Sequence, residues 1–296
     1  MSEQQSPPVL LGTDLPSVDV WSERVTVALG QNPSMFTGPG TNTYLVGTGP
    51  ERILVDTGQG EGAHLPVLEE AMERAGCRGI SEIVLTHGHP DHLGGLAQVI
   101  GLVGEVPVKK WPWPEVDLES PVPIENLHDD CVIETEGATL RGLHTPGHSP
   151  DHLCFVLEEE RSLFSGDNVL GVGTTVIPGG SGDLGDYMAS LDRLLGESPT
   201  RIYPAHGPCI EDGTAKIREY IDHRLARERE IVAAIEGGAS RVTAMVEIIY
   251  AAYPKALHAP AAASVSAHLL KLEAEQRLVR TGDADDPPTA VEWALA

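Results

Sequence analysis

Cationic side chains are scarce in this chain of 296 residues: 20 Lys and Arg stand against 44 Asp and Glu, for a formal charge of −24. A surface of that sign repels polyanions at long range. It argues against tight, non-specific nucleic-acid binding, which draws its affinity from phosphate neutralisation. Cysteine is sparse too. Cys77, Cys131, Cys154 and Cys209 are scattered, with no CxxC pair and no dense framework. A disulfide scaffold is therefore disfavoured, and a reducing cytoplasm fits. No apolar run approaches the ~20 residues that cross a bilayer. Met1–Pro8 has neither a positive n-region nor an apolar h-region, so no secretory signal is expected. There is no internal repeat and no long low-complexity tract. What is present is a 41% hydrophobic content, enough for a real core, and a length that suits one large domain or one domain with an appendage.

Short β-type runs, punctuated by Gly, Pro and Asp, dominate from Val18 to Val156: Val25–Leu29, Asn42–Val46, Ile53–Val55, Ile83–Leu85, Thr139–Leu143 and Leu153–Leu157. Helical patterns interrupt them. Ala63–Ala75 carries Leu65, Leu68, Ala71, Met72 and Ala75 on one face and stops at Gly76, and shorter patterns occupy Leu93–Ile100 and Tyr187–Leu195. This order predicts an α/β fold of two β-sheets covered by helices. After His206 the composition changes. Residues 214–236 are strongly helical, Gly237-Gly238 breaks them, and helical patterns follow over Val242–Tyr253 and Ala261–Glu275. Leu278-Val279 can pair with Val291–Leu295 around the loop Asp283–Pro288. Three helices and a β-wing describe a winged-helix-like module. The expected division is a loose lead-in (1–17), a catalytic domain (18–212) and a helical winged-helix-like C-terminal region (213–296).

The densest chemistry lies in Thr86-His87-Gly88-His89-Pro90-Asp91-His92, directly after the apolar run Ile83–Leu85. A strand end followed by a turn can fan these side chains into one cavity. His148 after Leu140–Leu143, Asp167 after Leu163–Ser165 and His206 after Ile202-Tyr203 repeat the context, each a His or Asp at the mouth of a strand beside Gly. Rigid sheets present functional groups on such loops. Any one of these histidines alone reads as structural; five His and two Asp in matching contexts read as a metal centre. Imidazole and carboxylate without thiolate suit borderline divalent ions, zinc first. Seven ligands suffice for two Zn2+ if one carboxylate bridges them, which leaves positions open for water. The expected reaction is hydrolysis by a metal-bound hydroxide, the second ion stabilising charge on the substrate. Asp91 orients the nucleophile and manages its proton.

Through its HxHxDH motif and the later His, Asp and His, the chain resembles the metallo-β-lactamase superfamily over roughly residues 18–212. The resemblance implies an αββα sandwich with the metals at one edge of the sheets. It implies that His87, His89 and His148 hold the first metal, that Asp91, His92 and His206 hold the second, and that Asp167 bridges them. A narrower resemblance, to the beta-lactamase-like protein 2 group, rests on Asn32-Pro33-Ser34 leading to Gly40-Thr41-Asn42-Thr43-Tyr44-Leu45, on Gly147-His148-Ser149-Pro150-Asp151-His152, on Gly173-Thr174-Thr175 and on Tyr203-Pro204-Ala205-His206-Gly207-Pro208. The C-terminal region also looks like that group. Its animal members cleave single-stranded RNA, and its fungal relatives include polyketide-releasing thioesterases. The stretch Val176–Asp183 departs from the family pattern. In this reading it edges the pocket and bears on substrate rather than on metal chemistry.

Asp56, in Val55-Asp56-Thr57-Gly58, resembles a superfamily position that supports a metal-binding His, with a turn residue as the other reading. His152 reads as a structural hydrogen-bonding residue, and His64, His128, His144, His223, His258 and His268 as ordinary. Asn32–Gly40, with Met35 and Phe36, is either a flap that touches substrate or a plain hairpin loop. Trp111-Pro112-Trp113-Pro114 reads as packing, with a rim or dimer contact as the alternative. Cys209 reads as an ordinary half-buried residue, with a place at the metal site as the alternative. An ester, thioester or lactam-type acyl substrate is the first functional reading. The alternatives are a metal-dependent single-stranded RNA endonuclease or phosphodiesterase and a mononuclear-iron sulfur dioxygenase. Diiron flavoproteins of the resembled fold carry Glu where His89 stands, which favours zinc. The acidic wing Asp283-Ala284-Asp285-Asp286 would repel phosphate, so the C-terminal module reads as scaffold, pocket wall or dimer contact. The expected partner is a small-molecule substrate, with RNA and a homodimer as further options, and with no DNA and no membrane.

Overall fold

In the computed structural model, which describes residues 14–283 and 285–296, the first sheet follows chain order. It comprises β1 (Val18–Val20), β2 (Val25–Leu29), β3 (Asn42–Val46), β4 (Glu51–Val55), β5 (Gly79–Val84), β6 (Val108–Lys110) and β7 (Glu125–Asn126). Pairing is antiparallel from β1 to β4 and parallel from β4 to β7. The second sheet contains β8 (Cys131–Thr135), β9 (Ala138–His144), β10 (Leu153–Leu157), β11 (Ser162–Gly166) and β12 (Arg201–Pro204), antiparallel up to β11 and parallel between β11 and β12. The helices are α1 (His64–Ala75), α2 (Pro90–Leu93), α3 (Leu96–Val103), α4 (Pro114–Asp117), α5 (Leu184–Glu197), α6 (Gly213–Glu236), α7 (Val242–Ile249) and α8 (His258–Ala274). A hairpin of β13 (Leu278–Thr281) and β14 (Glu292–Leu295) ends the chain, pairing Leu278 with Leu295.

Side chains alternate across each pleated strand, so one strand feeds two cores. On β4, Ile53 and Val55 enter the core between the sheets, while Leu54 packs with Leu68 and Ala71 of α1 and Leu96 and Val99 of α3. On β10, Leu153, Phe155 and Leu157 enter the intersheet core, and Cys154 and Val156 pack with Leu184, Tyr187 and Leu191 of α5. Both faces are covered, which is why these strands read as continuous apolar runs. The result is the expected αββα sandwich. Helix α6 belongs to two clusters. Ile217 and Tyr220 pack over the second sheet, and Ile231, Ala234 and Ile235 join α7, α8 and Trp293 in a separate core.

Two helical expectations need correction. The pattern Leu93–Ile100 is not one helix: α2 ends at Leu93 and α3 starts at Leu96. Gly95 donates its N–H to the Gly58 carbonyl at 2.9 Å, and a Cβ there would lie 2.0 Å from the Thr57 oxygen. The backbone of the β4–α1 loop occupies the space that a continuous helix needs. Helix α7 stops at Ile249, short of Tyr253, and α8 begins at His258, ahead of Ala261. Pro254 and the tight turn Lys255–Leu257 separate them. Residues 1–13 of the expected lead-in, and Ala284 in the hairpin loop, lie outside the described residues. Among the described residues no helix is long and apolar enough to cross a membrane.

Candidate metal centre

The chain delivers its His and Asp residues to one end of the sandwich, where the two sheets are stitched together. Leu153 N–H donates to the Thr86 carbonyl and Asn42 N–H to the Ala205 carbonyl, both at 2.7 Å. Asp56 follows β4, His87 to His92 follow β5, His148 follows β9, Asp167 follows β11 and His206 follows β12. Gly147, at φ +125°, lets the His148 loop lie against α5; a Cβ there would fall 2.3 Å from Tyr187 Cα. All seven residues singled out as ligands converge. His87, His89 and His148 form one group, Asp91, His92 and His206 another, and His87, His92 and Asp167 a third between them.

Hydrogen bonds around the cluster decide which nitrogen of each ring points inward. His92 Nδ1 faces Asp56 Oδ2 at 2.8 Å, His148 Nδ1 faces the Val176 carbonyl at 2.8 Å, and His206 Nδ1 faces the Gly40 carbonyl at 3.4 Å. Thr86 Oγ1 donates to Asp56 Oδ2 and so accepts from His87 Nδ1 at 3.1 Å. Each outer nitrogen is thus engaged away from the cluster, and Nε2 is the atom that each of these rings turns inward. Those inward nitrogens meet one another and two carboxylates. His87 Nε2 and His148 Nε2 both lie 2.9 Å from His89 Nδ1. His92 Nε2 lies 3.4 Å from Asp167 Oδ1, and both of these buried atoms lack a hydrogen-bond partner. His206 Nε2 is 3.1 Å from Asp167 Oδ1, and His148 Nε2 is 3.4 Å from Asp167 Oδ2. Ring nitrogens and carboxylate oxygens crowded this closely around common points are the arrangement that a cation site requires. The N/O donor set fits divalent ions of the zinc type.

Electrostatics divide the rings: against the effect of burial, Asp91, Asp56 and Asp167 raise His92, and Asp167 and Asp91 bring His206 up to about 9, so positive charge is favoured beside the two carboxylates. Burial, then the neighbouring imidazoles, lowers the pKa of His87 and brings that of His89 down to about 4, so both stay neutral and ligating. Burial pushes the Asp167 carboxyl up, but His206 and His92 hold it well below the usual carboxylate range. Asp91 is lowered in the same way, by His92 and His206 against burial.

Several supporting residues escape sequence reasoning. Thr41 Oγ1 donates to Asp91 Oδ2 at 3.1 Å and is itself held by Asn32 Nδ2 at 3.0 Å. Thr86 connects His87 to Asp56. Thr175 Oγ1 donates to the Asp167 carbonyl at 2.7 Å. A threonine carries no distinguishing mark in a sequence; its neighbours in the Gly40-Thr41-Asn42 and Gly173-Thr174-Thr175 motifs are the only signal. Asp56 combines both of its readings, with φ +60° and a carboxylate bound to His92 and to Thr86. His152 accepts from Asp167 N–H through Nε2 at 3.1 Å and faces Thr145 Oγ1 at 3.1 Å, as a structural hydrogen-bonding residue does.

A cavity of about 540 Å³ opens over His89, Asp91, His148, Asp167 and His206. Met35 and Phe36, 56% and 67% exposed at the tip of the Asn32–Gly40 loop, overhang it. Leu170, Val172, Val176 and Pro178 complete its apolar wall. Trp111 packs on the intersheet core and stacks on His144 at 3.6 Å. Cys209 is half-buried against the same core, outside the three candidate groups, its thiol pushed up to about 12, chiefly by burial.

A family model described as the metallo-beta-lactamase superfamily matches residues 36–206, and one described as a beta-lactamase associated winged helix domain matches residues 242–286. The lactamase-like protein adaB of Aspergillus niger is 45% identical over 231 residues, covering 78% of this chain and 69% of that protein. The beta-lactamase-like protein 2 homolog of Caenorhabditis elegans is 40% identical over 266 residues, 88% of each chain. The atrochrysone carboxyl ACP thioesterase of Claviceps purpurea is 40% identical over 225 residues, 75% of this chain and 68% of that one. Among solved structures, a metallo-beta-lactamase family protein from Thermus thermophilus superposes with a TM-score of 0.71 at 25% identity, over 91% of this chain and 98% of that one. TTHA1623, solved in a di-iron-bound form, gives a TM-score of 0.50 at 29% identity over 62% of this chain and 93% of its own.

Proposed function

Because this chain belongs to the metallo-beta-lactamase superfamily, as a metal-dependent hydrolase, we propose that it works with two Zn2+ ions on an ester, thioester or lactam-type acyl substrate. The observation that carries the substrate class is the cavity wall. Met35, Phe36, Leu170, Val172, Val176 and Pro178 are apolar, and among the described residues no Lys or Arg lines the cavity. Beyond the metal-binding cluster itself, the wall offers no cationic side chain to follow the backbone of a nucleic acid, on a molecule of charge −24. An acyl group brings apolar surface, which that wall removes from water. The name of the Claviceps purpurea thioesterase points the same way.

In this reading His87, His89 and His148 hold one ion and Asp91, His92 and His206 the other. The approach of the two Asp167 oxygens to different groups supports its bridging role. Bound there, two divalent ions supply Lewis acidity toward a substrate oxygen and lower the pKa of coordinated water. The chain's own residues do the rest. Asp56 and Thr86 hold the His92 and His87 rings in the ligating tautomer. Asp91 borders the cavity, steadied by Thr41, and its ionised carboxylate is the group placed to take a proton from the attacking water. Met35 and Phe36 cover the substrate and exclude solvent.

The test is a hydrolysis panel on protein whose metal content has been measured: acyl thioesters, lactones, nitrocefin-type lactams, bis-aryl phosphodiesters and single-stranded RNA. Two Zn per chain with turnover confined to the acyl compounds is expected. RNA cleavage at comparable kcat/KM would sink the substrate class. Two irons in place of zinc, as in the di-iron-bound form of TTHA1623, would sink the metal assignment.

A further inference from the structure

Helix α6 reaches from the C-terminal region into the outer layer of the sandwich, where it buries a cation that the hydrolytic chemistry does not use. Arg224 is buried and, among the described residues, pairs with no carboxylate. Its Nη2 donates to the Thr175 carbonyl at 2.5 Å, and its guanidinium lies 5.2 Å from the centre of the Tyr187 ring. A buried charge is expensive unless hydrogen-bonded, so its position is informative. Arginine suits this place better than lysine, because its flat face stacks while its edge donates.

The segment that Arg224 grips leads straight to the centre. Thr175 Oγ1 donates to the Asp167 carbonyl at 2.7 Å and to the Asn168 carbonyl at 3.1 Å. The next carbonyl, that of Val176, accepts from His148 Nδ1 and so decides that ring's tautomer. One turn before Arg224, Tyr220 holds the same segment: its hydroxyl accepts from Leu170 N–H at 3.0 Å and donates to the Gly173 carbonyl at 3.1 Å. Residues four apart lie on one helix face, so α6 presents two side chains to a single loop.

Building on the metal-centre reading, we infer that Arg224 is a positioning residue: from the C-terminal helix it anchors the Thr175 turn whose hydroxyl and following carbonyl orient Asp167 and His148. The C-terminal region thereby sets metal affinity without contributing a ligand.

The test compares zinc affinity by chelator competition, and the visible spectrum of the Co2+-substituted full chain, in wild type, Arg224→Met and Arg224→Lys. Loss of an outer hydrogen-bonding partner of a metal ligand typically costs about 10–100-fold in metal affinity. Arg224→Met should fold, bind zinc about tenfold more weakly and show a shifted Co2+ spectrum, with Arg224→Lys recovering part of the loss. Zinc affinity and spectrum within twofold of wild type would overturn the inference. Should Arg224→Met fail to fold, Thr175→Val removes the hydroxyl alone and must show the same weakening; unchanged affinity there overturns it equally. Wild type that binds no divalent ion would defeat the metal-centre reading beneath, which wild-type binding with an indifferent variant would leave standing.

Discussion

Asp56 shows how one buried carboxylate can support two histidines. One oxygen accepts from Thr86 N–H and the other from Thr86 Oγ1 and His92 Nδ1. Asp56→Asn keeps the volume but turns an amide N–H toward donors. Zinc affinity measured by chelator competition should fall about 10–100-fold, with the circular dichroism unchanged; wild-type affinity would refute the role. The His and Asp residues of the centre are legible as residues because side chains of that chemistry repeat at strand ends beside Gly. Thr41, Thr86 and Thr175 are not. Thr41 meets Asp91 across 50 positions of sequence, and a hydroxyl becomes a supporting group only when folding brings such a partner within hydrogen-bond reach.

At the scale of elements, the boundary between α2 and α3 is a packing event. Gly95 admits the Thr57 carbonyl where a side chain would collide, and α2 then presents Asp91 and His92 at its own angle. Gly95→Ala should destabilise the chain by about 1–3 kcal/mol, the usual cost of overpacking. It should lower zinc affinity as well, since α2 must shift. Denaturant midpoints equal to wild type would show that the β4–α1 loop yields freely. The core strands Val25–Leu29, Asn42–Val46 and Leu153–Leu157 are legible to the residue, because both faces are buried and the apolar run ends where burial ends. The last two strands of the first sheet, β6 and β7, are not, since three and two residues are too short to carry a period.

For the molecule as a whole, two histidines outside the candidate ligand groups tie stability to pH. His64 on α1 and His268 on α8 are buried, and burial lowers each to a pKa of about 4. In the unfolded chain both titrate near the ordinary value of about 6.5. Below that pH the unfolded state takes up protons that the folded state refuses. Their contribution is thus whole above about pH 6.5 and is lost progressively as pH falls through about 4. Urea midpoints of His64→Gln/His268→Gln should fall less steeply than those of wild type between pH 6.5 and 4; parallel slopes would exclude the pair. Apolar periodicity and ligand chemistry are local properties of the chain, so two sheets covered by helices and the identity of the seven converging residues can be read from residue order, while the αββα sandwich is what the family resemblance implies. Which ring nitrogen faces inward, the apolar and uncharged character of the cavity wall, and the reach of Arg224 to the loop beside Asp167 emerge with folding. Those features depend on contacts between segments far apart in sequence, which no local pattern encodes.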